Sequence, residues 1–196
     1  MDKSMYQILA NSWNGLTNGN GHINSAFRNI TISHIADEYV NAYTVVLRKI
    51  GFNEQQLVFF TDYRSPKVSQ ISSHNRLTVC GYNPATQIQL IFKGVATIHY
   101  RDEVAQHNWK VEGYKGQKSY LAKPAPSTAI EQPDDGLSYL ASPQSNGDTP
   151  DGYENFAVVV IDVKQMEYLK LSPTGNRRAQ FTLQPSGAWQ GTWLIP

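Results

Sequence analysis

From residue 27 to residue 195 the chain alternates short runs of β-branched and aromatic residues with turn residues. This rhythm limits what the chain can fold into. The runs are Phe27–Ile32, Tyr39–Ile50, Leu57–Thr61, Leu77–Tyr82 and Gln87–Tyr100, then Asn155–Val163, Met166–Leu171, Arg178–Leu183 and Ala188–Ile195. Gly51 closes the second run, and Asn83-Pro84 stops the fourth. Two stretches, Thr44-Val45-Val46-Leu47 and Ala157-Val158-Val159-Val160-Ile161, are apolar without alternation. Strands apolar on both faces need cover on both. The expectation is a mainly β fold, a β-barrel with flanking helices, its outer wall covered by those helices or by a second subunit. Gly94, inside the longest run, predicts a bulge or a close backbone approach.

The helices are few. Met5, Ile8, Leu9 and Trp13 recur at helical spacing and predict a short helix over residues 3–14. Asn18–Ser25 is rich in glycine and asparagine and reads as a flexible connection. Ser65–Asn75 and Asp102–Gly113 are the other helices, the latter with Asp102 as its cap. Residues 131–152 carry prolines, glycines and aspartates and read as a loop. The chain, 1–196, is expected to be one domain.

Charge and special residues exclude several functions. The net charge is +1, so no global field draws nucleic acid or anionic membrane. Lys110, Lys115 and Lys118 near Trp109, Tyr114 and Tyr120 read as a solvated helix face. The one cysteine, Cys80, lies in an apolar run, and the five histidines have no metal-ligand spacing. There is no signal-like or membrane-spanning apolar stretch, which makes the cytoplasm the expected location.

The segment richest in chemistry is Thr61-Asp62-Tyr63-Arg64-Ser65-Pro66-Lys67-Val68. A strand ends at Thr61, Ser65 can cap a helix, and Pro66 suits its first position. The free N–H groups and dipole of that helix favour an anion. Arg64, Lys67 and the Ser65 hydroxyl flank the same point, as a phosphate monoester requires. A solvated helix cap with two exposed bases has the same local sequence. Arg48 follows an apolar strand and either lines a cavity or exits to solvent. Gln89 begins another strand, where its amide could meet a ring carbonyl.

In their order these blocks resemble the pyridoxamine 5′-phosphate oxidase family of FMN-binding split barrels. The matching stretches are Thr44–Arg48, Phe59–Lys67, Gln89–Ala96, Lys123–Ser127 and the C-terminal strands from Met166 to Pro196. The resemblance implies FMN as cofactor, bound at the interface of a homodimer. It implies that Val45, Val46, Leu47 and Arg48 line the flavin and ribityl chain, and that Phe60 and Thr61 contact that chain. Arg64, Ser65 and Lys67 would hold the phosphate. Gln89 would meet the ring edge from the other subunit, and Arg178 would approach from the C-terminal side. Lys123 and Ser127 match residues that bind the phosphate of a pyridoxal-type substrate. No metal and no nucleic acid are implied.

The departures are specific. Tyr43 and Pro66 stand where the family carries arginine, Ser119 stands for a tyrosine, and Leu169 stands for a tryptophan beside the flavin. Thr174-Gly175-Asn176 replaces an Arg-x-His pair of the substrate loop. The implied activity is an FMN-dependent oxidoreductase passing a hydride from a small substrate to the flavin, with Arg48 stabilising charge on the reduced ring. A phosphorylated pyridine, a nicotinamide donor and a non-catalytic carrier or sensor role all remain open at this point.

Overall fold

The computed structural model describes residues 1–20, 25–36, 38–51, 53, 55–141 and 150–196. Parts of the expected connection (21–24) and of the expected loop (142–149) lie outside the described residues. The strands are β1 (Asn29–Ala36), β2 (Tyr39–Gly51), β3 (Gln56–Asp62), β4 (Arg76–Asn83), β5 (Ile88–His99), β6 (Phe156–Lys170), β7 (Arg177–Leu183) and β8 (Trp189–Leu194). The helices are α1 (Lys3–Asn20), α2 (Pro66–Ser73), α3 (Glu103–Val111), α4 (Tyr114–Gln117) and α5 (Pro150–Tyr153).

The sheet order is β3-β2-β1-β4-β5-β6-β7-β8, and β3 also pairs with β6. That pairing, Gln56↔Asp162 through Asp62↔Phe156, closes six antiparallel strands into a barrel with β7 and β8 as an extension. Closure removes the exposed edges of β3 and β6. The chain is a split β-barrel of the expected class.

The barrel interior is filled by the inward residues of each strand, among them Ile32, Leu47, Phe59, Phe92 and Phe181, all at most 1% exposed. Each such side chain contributes about 1.5–3 kcal/mol of burial. α1 supplies Met5, Leu9, Trp13 and Leu16 to the same cluster, with Trp13 edge-on to Phe92 at 5.5 Å. The helix is longer than the 3–14 predicted because Leu16 continues the buried stripe. The two strands expected at Asn155–Val163 and Met166–Leu171 are one, β6. A bulge bridges the interruption: Lys93 pairs with Gln165 and Gly94 with Val163, leaving Lys164 as the extra residue. Gly94 is required there, since a Cβ would lie 2.5 Å from the Asp162 carbonyl oxygen.

A second apolar cluster covers the outer wall. Val58, Phe156 and Val158 meet Ala105 of α3 and Tyr120, with Trp109 packed against them. This explains why the Ala157–Ile161 run is apolar on both faces. α3 is capped as predicted, with Asp102 accepting from the Ala105 N–H at 2.9 Å.

Candidate functional site

β3 ends at Asp62, and three residues later α2 begins. Ser65 occupies the N-cap position with extended backbone, and Pro66 starts the helix. The Ser65 hydroxyl makes no cap bond. Its Oγ instead accepts from Lys67 Nζ at 3.0 Å. Lys67 Nζ also reaches Thr61 Oγ1 at 3.5 Å and lies 5.2 Å from the centre of the Tyr43 ring. The Tyr43 hydroxyl donates to Gln70 Oε1 of α2 at 3.2 Å. Strand β2, the end of β3 and the mouth of α2 therefore converge on one ammonium. Thr61 and Ser65 are buried, and Lys67 is half-buried. Burial pushes the Lys67 pKa down, opposed by the nearby Asp62 charge. Among the described residues Lys67 makes no ion pair; its partners are hydroxyls and a ring. A desolvated cation at a helix N-terminus, with donor hydroxyls beside it, is suited to a tetrahedral oxyanion.

Arg64 is placed differently from the sequence expectation. Its Nε and NH2 donate to the Asp62 carboxylate at 3.0 and 2.7 Å. NH2 and NH1 also donate to the carbonyls of Ala122 and Lys123 at 2.8 and 3.0 Å. Four of its five N–H groups are thus engaged within the chain. The hydrogen bond to Asp62 raises its pKa above the ordinary arginine value. Arg64 braces the 122–123 segment to the end of β3. The local sequence pairs it with Lys67, but Asp62 decides its direction.

Val45 and Leu47 point into the barrel core, so only their backbone is available to an outside ligand. Val46 faces outward. Arg48 is the extra residue of a second bulge: Leu47 pairs with Phe59 and Lys49 with Val58. Bulges redirect side chains. This one sends the Arg48 guanidinium to 5.6 Å from the Phe60 ring centre and 3.3 Å from Glu112 Oε1. Arg48, Phe60, Val46 and Glu112 line a cavity of about 240 Å³. Nothing in the sequence signalled Glu112, because its partner is far along the chain. Nearby, burial pushes the Tyr120 hydroxyl pKa up; the Arg48 charge opposes this shift, and those of Glu112 and Asp62 add to it.

Lys123 and Ser127 share a larger cleft of about 640 Å³. Lys123 Nζ sits 4.3 Å from the centre of the Tyr139 ring, whose hydroxyl donates to the Leu121 carbonyl at 2.6 Å. Ser127 has φ +71°, a left-handed conformation that costs a non-glycine residue about 1 kcal/mol. Asp134 and Asp135 line the same cleft and cap the N–H groups of Gly136 and Leu137. Asp62 forms part of the wall, and Arg64 ties it to the carbonyl of Lys123 on the same cleft.

Gln89 and Arg178 lie elsewhere. Gln89 pairs with Leu169, and Leu169 with Arg178, forming one row across β5, β6 and β7. Arg178 NH2 donates to Glu167 Oε1 at 2.9 Å, while its buried Nε finds no partner among the described residues. Among the described residues the hydrogen bonds of this row and those of Lys67, Ser65 and Thr61 share no partner.

Residues 10–100 match the family described as pyridoxamine 5′-phosphate oxidase, FMN-binding domain. The matched segment runs from within α1 to the end of β5, and over it the chain is similar to the FMN-binding domain of that family. Its fold is similar to that of a pyridoxamine 5′-phosphate oxidase-related, FMN-binding protein from Nostoc punctiforme. The TM-score is 0.76 at 20% identity, over 95% of this chain and 96% of that one. PhzG from Burkholderia lata, solved with tetrahydrophenazine-1-carboxylic acid, gives a TM-score of 0.72 at 15% identity, over 96% and 91%. No curated protein matches the chain.

The residues gathered around Lys67, within the matched segment, fit the phosphate end of FMN. The half-buried Lys67 with its two hydroxyl neighbours supplies the positive, donor-rich surface that a phosphate needs. Tyr43, where the family carries arginine, brings no charge but gives Lys67 a ring to rest on. Thr174–Asn176, in place of the Arg-x-His pair, forms the turn after β6, where Asn176 Oδ1 accepts from the Ser172 N–H at 3.0 Å. Among the described residues no group of histidine, cysteine, aspartate or glutamate could hold a metal ion. No described helix is long and apolar enough to cross a membrane.

Proposed function

We propose that residues 1–196 form one FMN-binding unit that acts as a homodimer and oxidises a small substrate by hydride transfer to FMN. The observation that carries this reading is the Lys67 ammonium, half-buried and, among the described residues, held by Thr61, Ser65 and the Tyr43 ring with no ion pair. FMN, when bound, supplies the hydride acceptor. The chain supplies position and field. Lys67, Ser65 and Thr61 hold the phosphate, and backbone at Val45 and Leu47 together with Val46 and Phe60 supports the rest. Arg48 places positive charge where a reduced ring gains negative charge. Gln89 and Arg178, which among the described residues share no hydrogen-bond partner with the Lys67 cluster of their own chain, reach the cofactor of the partner subunit. The unpartnered Arg178 Nε supports that role.

The Lys123–Ser127 cleft receives the substrate. Asp134 and Asp135 on the same wall oppose a doubly charged phosphate, so the cleft favours a small substrate with at most one negative charge. The test is direct. The protein is reconstituted with FMN, and its mass is measured in solution. Bleaching of the oxidised flavin band is then followed with pyridoxamine, pyridoxamine 5′-phosphate and NADH. A yellow dimer reduced by pyridoxamine at least as fast as by its phosphate is the expected result. A colourless protein after soaking with FMN removes the cofactor reading, and a yellow monomer removes the shared site. A bound flavin that no donor reduces leaves a carrier.

A further inference from the structure

Glu112 stands where helix physics disfavours it. It is the C-cap of α3, at the negative end of the helix dipole, and its side chain is only 14% exposed. A desolvated carboxylate at that place costs stability unless a cation answers it. Arg48 does so at 3.3 Å, from the bulge between β2 and β3. The carboxylate also rests against Gly116 of α4, where a Cβ would collide with Glu112 Oε1. Two local features, a bulge and a glycine, thus serve one ion pair. The cavity they share is lined by Arg28, Arg48 and Lys49, and among its lining residues Glu112 is the one carboxylate.

We propose that Glu112 is a positioning residue that pins the Arg48 guanidinium over Phe60, offsets its charge, and so lowers the reduction potential of FMN bound beside it. This inference rests on the cofactor reading above. A cation near the flavin favours the reduced form, which carries more negative charge. A carboxylate 3.3 Å from that cation offsets part of its field at the ring. Substituting Gln at 112 keeps an oxygen that accepts from Arg48 while removing the charge. Substituting Ala at Gly116 changes no charge, and displaces the Glu112 carboxylate from its seat.

The experiment is a redox titration of FMN-loaded wild type, Glu112→Gln and Gly116→Ala against dyes of known potential, with FMN affinity measured in parallel. Glu112→Gln is expected to shift the two-electron equilibrium about tenfold toward reduced flavin, an upward shift of ~30 mV. Gly116→Ala is expected to move it the same way by a smaller factor, and FMN affinity is expected to stay within about threefold. Two-electron equilibria within about twofold of wild type, with FMN bound, overturn the inference and leave the cofactor reading standing. If Glu112→Gln does not fold, Gly116→Ala carries the decision alone. Failure of the wild type to take up FMN overturns both.

Discussion

Replacing Lys67 with methionine isolates the cofactor's phosphate from its ring. Methionine keeps much of the apolar stem that packs beside Tyr43 and removes the ammonium that meets Ser65 Oγ at 3.0 Å and Thr61 Oγ1 at 3.5 Å. A charge-assisted hydrogen bond is worth about 1.5–3 kcal/mol. At 1.4 kcal/mol per tenfold, FMN affinity should fall about 10- to 150-fold. Riboflavin has the same ring without the phosphate, so its affinity should change by less than about twofold. The ligand-free variant should be no less stable than wild type, because a partly desolvated ammonium, only in part compensated by the nearby Asp62, has been removed. Quenching of flavin fluorescence gives both affinities, and urea unfolding gives the stability. An equal loss for FMN and riboflavin would mean that Lys67 shapes the pocket rather than binding phosphate. Unchanged FMN affinity would refute the reasoning outright.

Three other outcomes follow from the same geometry. Arg64→Ala should destabilise the fold by about 2–3 kcal/mol, since it strands the 8%-exposed Asp62 carboxylate and frees the Ala122 and Lys123 carbonyls. Calorimetry should show Tm lower by about 4–12 °C, and a drop below 2 °C argues against the brace. Gly94→Ala should cost about 1–3 kcal/mol through the clash with the Asp162 carbonyl and Ile161, and an unchanged urea midpoint would count against the bulge geometry. The lowered Lys67 pKa also has a signed consequence. Between that lowered value and the ordinary lysine value of about 10.4, the unfolded chain binds more protons than the native one. The cost of burying the charge is therefore fully present below the folded pKa and is relieved as pH rises through this window. FMN affinity falls over the same interval. Both slopes should vanish in Lys67→Met relative to wild type, as followed by pH-dependent titration.

The sequence showed the phosphate-side chemistry because that chemistry is local. Ser65, Pro66 and Lys67 are adjacent, and a helix start needs only its own first turn to present N–H groups and a nearby cation. Arg64 lies in the same few residues, yet its direction was not legible. Asp62 and the carbonyls at 122 and 123 compete for its guanidinium, and two of those three are brought there by the chain's return. The bulge that turns Arg48 outward was also hidden, because a register shift exists only between two paired strands. Glu112, more than sixty positions beyond Arg48, left no periodic trace.

By itself the sequence determined the class of fold. Doubly apolar strands demand a covered barrel, and the spacing of turns sets the strand count to within one, since β6 joined two predicted pieces through its bulge. Tertiary structure alone decided which charges face the cavities and which neutralise each other. Burial pattern is a property of successive residues, whereas an ion pair depends on distance in space, and closing β3 onto β6 under α3 is what sets those distances.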